Sequence, residues 1–127
     1  MTQQTGNEEQ RIAAGINKAI ELHADGRTPS AVDLLADLAE EFPQAAGIHA
    51  YLSWFLSDLG RSVEAIEHGG RAVRLAPASE KASLIYFHSL WKSGLQARAL
   101  DEMRRFLGVR PSQEYSRIIQ DWKLEVE

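Results

Sequence analysis

Histidine and carboxylate side chains are the chemically versatile groups of this 127-residue chain, because it contains no cysteine. That absence excludes a disulfide framework, a thiolate zinc site and a cysteine nucleophile. None of the four histidines, His23, His49, His68 and His88, stands three or four residues from another. A metal site built on one helical face needs that spacing. The adjacent carboxylates Glu8-Glu9, Glu40-Glu41 and Asp101-Glu102 read as solvated helix surface. No phosphate loop, nucleophile elbow, zinc-protease helix or dinucleotide-binding glycine motif occurs. Gly69-Gly70 falls inside an expected helix and reads as a close helix contact or a soft spot. The expectation is a non-catalytic protein without cofactor or metal.

Composition narrows the class further. Apolar residues make up 44% and charged residues 25%, which suits a globular domain and not a disordered chain. Formal net charge is −4, against the basic excess usual in nucleic-acid modules. Residues 1–60 hold nine acids and three bases, whereas residues 61–113 hold five acids and nine bases. Arg98, Arg104, Arg105 and Arg110 concentrate the positive charge and read as solvated surface on the back of the last repeat. No segment has the apolar length of a membrane span, and the first ten residues lack the pattern of a secretory leader. A cytoplasmic location, with no nucleic acid and no membrane as partner, is the expectation.

The elements that must position these residues repeat. Pro43, Pro77 and Pro111 are spaced by 34 residues, and so are Gly26, Gly60 and Gly94. Ala31, Ala65 and Ala99 keep the same interval, as do Leu22, Leu56 and Leu90. Segments before each glycine have helical apolar spacing, as in Leu84, Ile85, Phe87 and Leu90. Glycine then closes the helix, since the left-handed position after a helix end suits a residue without Cβ. A second helix follows, with alanine near its start for close approach, and proline ends the unit. Thr28-Pro29 suits the cap and first residue of the first of these second helices.

This pattern resembles the tetratricopeptide repeat family, whose period is 34 and whose motif includes this glycine, these alanines and the terminal proline. The resemblance covers Ile12 to Gln113 as units 12–45, 46–79 and 80–113. In the second unit Leu52, Gly60, Ala65, Ala72, Leu75 and Pro77 fall where the family has them. Its frequent aromatic at the fourth position is Gly15, His49 and Ser83 here. Its small eighth residue is Ala19 and Ser53, but Phe87 in the third unit, and Lys18 stands where leucine is usual. The implied fold is all-α: a superhelix of three helix–turn–helix repeats plus a terminal helix.

Ser112 can cap that terminal helix, expected over 113–126, whose stripe Tyr115, Ile118, Ile119, Trp122 and Val126 suits an end cap. Residues 1–7 read as a disordered tail and Asn7 as the first helix cap, leaving residues 8–127 as one domain with seven helices.

In such arrays the first helix of each unit lines a concave face. The resemblance places the second, fifth, ninth, twelfth and thirteenth residues of that helix there. They are Ala13, Ile16, Ile20, His23 and Ala24 in the first unit and Gly47, Ala50, Trp54, Ser57 and Asp58 in the second. The third unit gives Lys81, Leu84, His88, Trp91 and Lys92, and the ninth-residue register continues to Trp122. The expected partner-binding groove therefore comprises Trp54, Trp91, His88, Leu84, Lys81, Lys92, Ala50, Asp58 and Trp122. Tyr51 reads as core between neighbouring helices. Some family members clamp the terminal carboxylate of acidic chaperone tails with lysine, asparagine and arginine. The matching places here are Ile16, Ile20, Tyr51, Lys81 and Ile85, so only Lys81 fits and such tails are not expected to bind. The implied function is a protein–protein interaction module holding a peptide or helix of another protein. The alternative is a structural or chaperone-like assembly protein that dimerises through apolar surface.

Overall fold

The computed structural model describes residues 2–126, with side chains from residue 6 onward. These residues form seven helices and no strand: α1 Thr2–Ala24, α2 Thr28–Glu41, α3 Ala46–Asp58, α4 Ser62–Leu75, α5 Glu80–Lys92, α6 Gln96–Leu107 and α7 Gln113–Trp122. From α1 to α6 each helix packs against the next. α3 also touches α1 and α5, which gives a helical-repeat-like arrangement with the first helices of successive units side by side.

The repeating residues perform one task each. Gly26, Gly60 and Gly94 have φ of 79°, 77° and 83°, a left-handed backbone that L side chains rarely adopt. Around Gly60 two crossed bonds close the helix end: the Gly60 N–H donates to Ser57 O at 3.0 Å, and the Arg61 N–H to Leu56 O at 2.9 Å. The same pair of bonds recurs at Gly26-Arg27 and Gly94-Leu95. This is the paired-bond helix stop that glycine favours. Ala31, Ala65 and Ala99 are each fully buried, and Leu22, Leu56 and Leu90 nearly so. α2 and α4 end immediately before Phe42-Pro43 and Ala76-Pro77.

Helix starts partly depart from expectation. Ser79 and Ser112 cap α5 and α7, accepting from the N–H groups of Ala82 at 3.1 Å and Tyr115 at 3.0 Å. Thr28 does not cap α2. It is the first helical residue, and its hydroxyl bonds His23 Nδ1 at 2.9 Å instead. α1 starts at Thr2, so the segment read as a tail is helical from that residue and Asn7 lies within the helix. At the other end α7 stops at Trp122 and not at 126. Lys123 turns left-handed (φ 55°), and the Leu124 N–H closes on Ile119 O at 3.0 Å.

Two large apolar clusters and a small one between them form the core. Leu35, Ile48, Leu52, Phe55 and Leu56 centre the first, and Phe87, Leu90, Met103, Phe106 and Tyr115 centre the second. Ala50, Ala72, Val73 and Ala82 make the small join where α3, α4 and α5 meet. Gly69 serves that join. A Cβ there would stand 2.7 Å from Tyr86 Cδ1 and 2.8 Å from Ser53 Oγ, so the close-contact reading of the glycine pair describes this position. Nearby, the buried Ser53 and Ser89 hydroxyls bond each other at 2.9 Å between α3 and α5.

Candidate functional site

The side-by-side packing of α3 and α5 leaves a groove between their outward faces. Trp54 stands in it with 42% of its surface exposed, although the indole is braced by Tyr51, Phe55 and His23 at centroid distances of 5.4–5.8 Å. A cavity of about 320 Å³ lies on one side, lined by Trp54, Ser57, Asp58, Leu84, Ile85, His88, Ser89 and Lys92. On the other side a cavity of about 240 Å³ is lined by Tyr51, Trp54, Glu80, Lys81, Leu84 and Ile85. Helical spacing explains the lining. Residues 81, 84, 85, 88 and 92 follow one face of α5 at steps of three and four, and 54, 57 and 58 do so on α3.

Charges sit at the rims of this mostly apolar trough. Asp58 accepts from Lys92 Nζ at 3.1 Å and faces His23 Nε2 at 3.3 Å, so one carboxylate joins the ends of α1, α3 and α5. At the other rim Lys81 Nζ donates to the Tyr51 hydroxyl at 3.2 Å and lies 5.7 Å from that ring's centre. Burial lowers the His88 pKa below histidine's ordinary value, so this groove imidazole resists protonation.

Of the nine residues expected in the groove, Trp54, His88, Leu84, Lys81, Lys92 and Asp58 line the two cavities. Ala50 does not. It is 3% exposed and packs with Ala72, Val73 and Ala82 behind the groove. Trp91 and Trp122 form a second aromatic group, with centroids 5.1 Å apart and both rings against Phe87. His88 joins the two sets by standing edge-on to Trp122 at 6.0 Å. Ile85 and Ser89 line the groove without having been singled out for it, and Tyr51, read as core, is a half-buried groove wall.

The fourth position of each unit has an unforeseen role. Gly15 lets the Leu38 side chain close onto α1. His49 Nδ1 meets His68 Nδ1 at 3.0 Å, and Ser83 Oγ donates to Glu102 Oε2 at 2.7 Å, each pair 19 residues apart. Glu102 is thus buried, not solvated surface as expected. Arg105 also bonds both of its oxygens, at 2.7 and 2.8 Å. The other arginines of the basic cluster are engaged as well: Arg104 with Asp101, Arg98 with the Tyr86 hydroxyl and Arg110 with the Ala78 carbonyl. Among the described residues no group of three or more His, Asp or Glu could hold a metal ion. No helix among them is long and apolar enough to cross a membrane. No protein-family model matches the chain, and no curated protein matches it.

Proposed function

We propose that this chain is a tetratricopeptide-repeat-like, non-catalytic module that holds a peptide or helical segment of another protein in the α3–α5 groove. The 34-residue phase of glycine, alanine, leucine and proline supports the repeat assignment, together with the packing of α1, α3 and α5 side by side. The observation that carries the binding reading is Trp54, a large ring left 42% exposed between two apolar cavities. Such braced aromatic side chains dominate interface energetics, because they bury much area and lose little side-chain freedom.

The test is a photo-crosslinking amino acid placed at Leu84 in the full chain, with the captured segment then synthesised and titrated. Trp54→Ala should weaken that segment by about thirtyfold or more, the loss typical of an anchor. Its thermal midpoint should stay close to that of the parent. Equal affinity of parent and variant overturns the groove reading. Self-association is the competing reading, favoured by Trp122, which also leaves 41% of its surface exposed. A concentration-dependent mass in light scattering that Trp122→Ala abolishes would decide for self-association.

A further inference from the structure

The two imidazoles between α3 and α4 are outside the groove and carry a property of their own. Their rings stack with centroids 5.2 Å apart and a 17° tilt, and the Nδ1 atoms face each other at 3.0 Å. Two facing ring nitrogens can share only one proton. Here its position is determined: His49 Nε2 lies 2.8 Å from the Pro43 carbonyl, which can only accept, so His49 carries its hydrogen on Nε2. His49 Nδ1 therefore presents a lone pair, and His68 donates its Nδ1–H to it.

From this geometry we infer that His49 and His68 form an acid-operated latch between α3 and α4, closed while His49 is neutral and opened when both rings are protonated. A first proton can enter at His68 Nε2 and leave the shared bond intact. A second must enter at His49 Nδ1, where it sets two N–H groups and two positive charges against each other at the contact distance. Burial is the main cause holding both rings below histidine's ordinary pKa of 6.5. The charged groups acting on the pair stand on α4. Arg71 opposes protonation of both rings, whereas Glu67 and Glu64 favour it at His68. From the α2–α3 connection comes the neutral Pro43 carbonyl, which favours the charged form of His49. The folded state thus binds fewer protons than the unfolded chain below pH 6.5. The latch stabilises the α3–α4 pair above that pH, and the stabilisation is lost as pH falls. The third unit holds Ser83 and Glu102 at the equivalent positions, so the latch is confined to the second unit.

Long-range proton–nitrogen NMR on the full chain reads both rings directly. At neutral pH it should find hydrogen on Nε2 of His49 and Nδ1 of His68. Both rings should take up their second proton at a pH lower than histidine's ordinary 6.5, and amide protection of α3 and α4 should fall as His49 charges. His49 titrating at its ordinary value, or α3–α4 protection indifferent to His49 charging, overturns the latch. His68→Asn keeps an N–H near the Nδ1 position but does not titrate. Below pH 6.5 the parent's unfolding constant should rise more steeply than the variant's, by up to about tenfold per pH unit for each proton withheld. Parallel profiles would also overturn the proposal. If the variant does not fold, the ring titration of the parent decides alone. None of these readouts depends on what the groove binds.

Discussion

Asp58 and Lys92 hold the same place in consecutive units, 34 residues apart, and their side chains meet at 3.1 Å on the rim of the groove. With His23 at 3.3 Å on its other oxygen, Asp58 ties together the C-terminal ends of three helices that lie side by side. The period in the sequence therefore becomes a contact in space. All three partners remain partly exposed, and exposed ion pairs contribute roughly 0–1 kcal/mol because water screens them and side-chain entropy opposes them. Asp58→Asn should accordingly lower stability by less than about 1 kcal/mol in urea unfolding. Its effect should appear in the groove, where the Lys92 ammonium loses its partner. A loss well above that figure would show that the bridge holds the repeats together.

Two adjacent glycines should respond oppositely to the same change. At Gly69 an alanine Cβ has no room, since Tyr86 and Ser53 stand under 3 Å away on two other helices. Overpacking of this kind costs roughly 1–3 kcal/mol. At Gly70 the nearest atom is the flexible Arg74 guanidinium at 3.4 Å, an ordinary contact. There Gly70→Ala should stabilise by up to about 1 kcal/mol, through helix propensity. Denaturant midpoints of the two variants check both signs. Equal effects would mean that the α4–α5 contact adapts freely.

The sequence showed the backbone better than the side-chain chemistry, and particular residues show why. Gly26, Gly60 and Gly94 act through their own φ angles, and each turn is closed by bonds among immediate neighbours. Such local requirements leave a periodic trace. The groove was legible wherever register alone decided it, as at Trp54, His88 and Lys92. It failed at Ala50, where a third helix, α4, covers a position that register assigns to the surface. It failed again at His49 and His68, 19 residues apart on different helices, where a search along one helical face finds nothing. The signal available was negative: the fourth position lacked the family's aromatic in all three units. In the second and third units a polar pair across the two helices stands there.

Tyr115 joins α7 to the preceding helices both as an apolar ring and as a hydroxyl. The ring is fully buried, edge-on to Phe87 at 5.5 Å and tilted against Phe106 at 5.9 Å. Its hydroxyl donates to Ser83 Oγ at 2.7 Å, since the Ser83 hydrogen is given to Glu102. Tyr115→Phe keeps the ring and leaves Ser83 bonded, so it should cost only about 0.5–1.5 kcal/mol. Tyr115→Ala removes the ring from the core and should cost about 3–5 kcal/mol, as large aromatic truncations do. Removal of residues 114–127 goes further and should expose the Phe87–Phe106 flank, giving aggregation or a large drop in melting temperature. Alkali separates the two roles. Burial, reinforced by Glu102 and Glu80, raises the Tyr115 pKa well above 10.0, so the folded state keeps a proton that the unfolded chain releases. The stabilisation is complete below pH 10.0 and is lost as pH rises beyond it. Tyr115→Phe should therefore flatten the alkaline limb of a stability–pH curve while lowering the neutral plateau only by that modest cost. If the limb keeps its slope in that variant, the alkaline loss comes from other groups and the buried hydroxyl does not anchor α7.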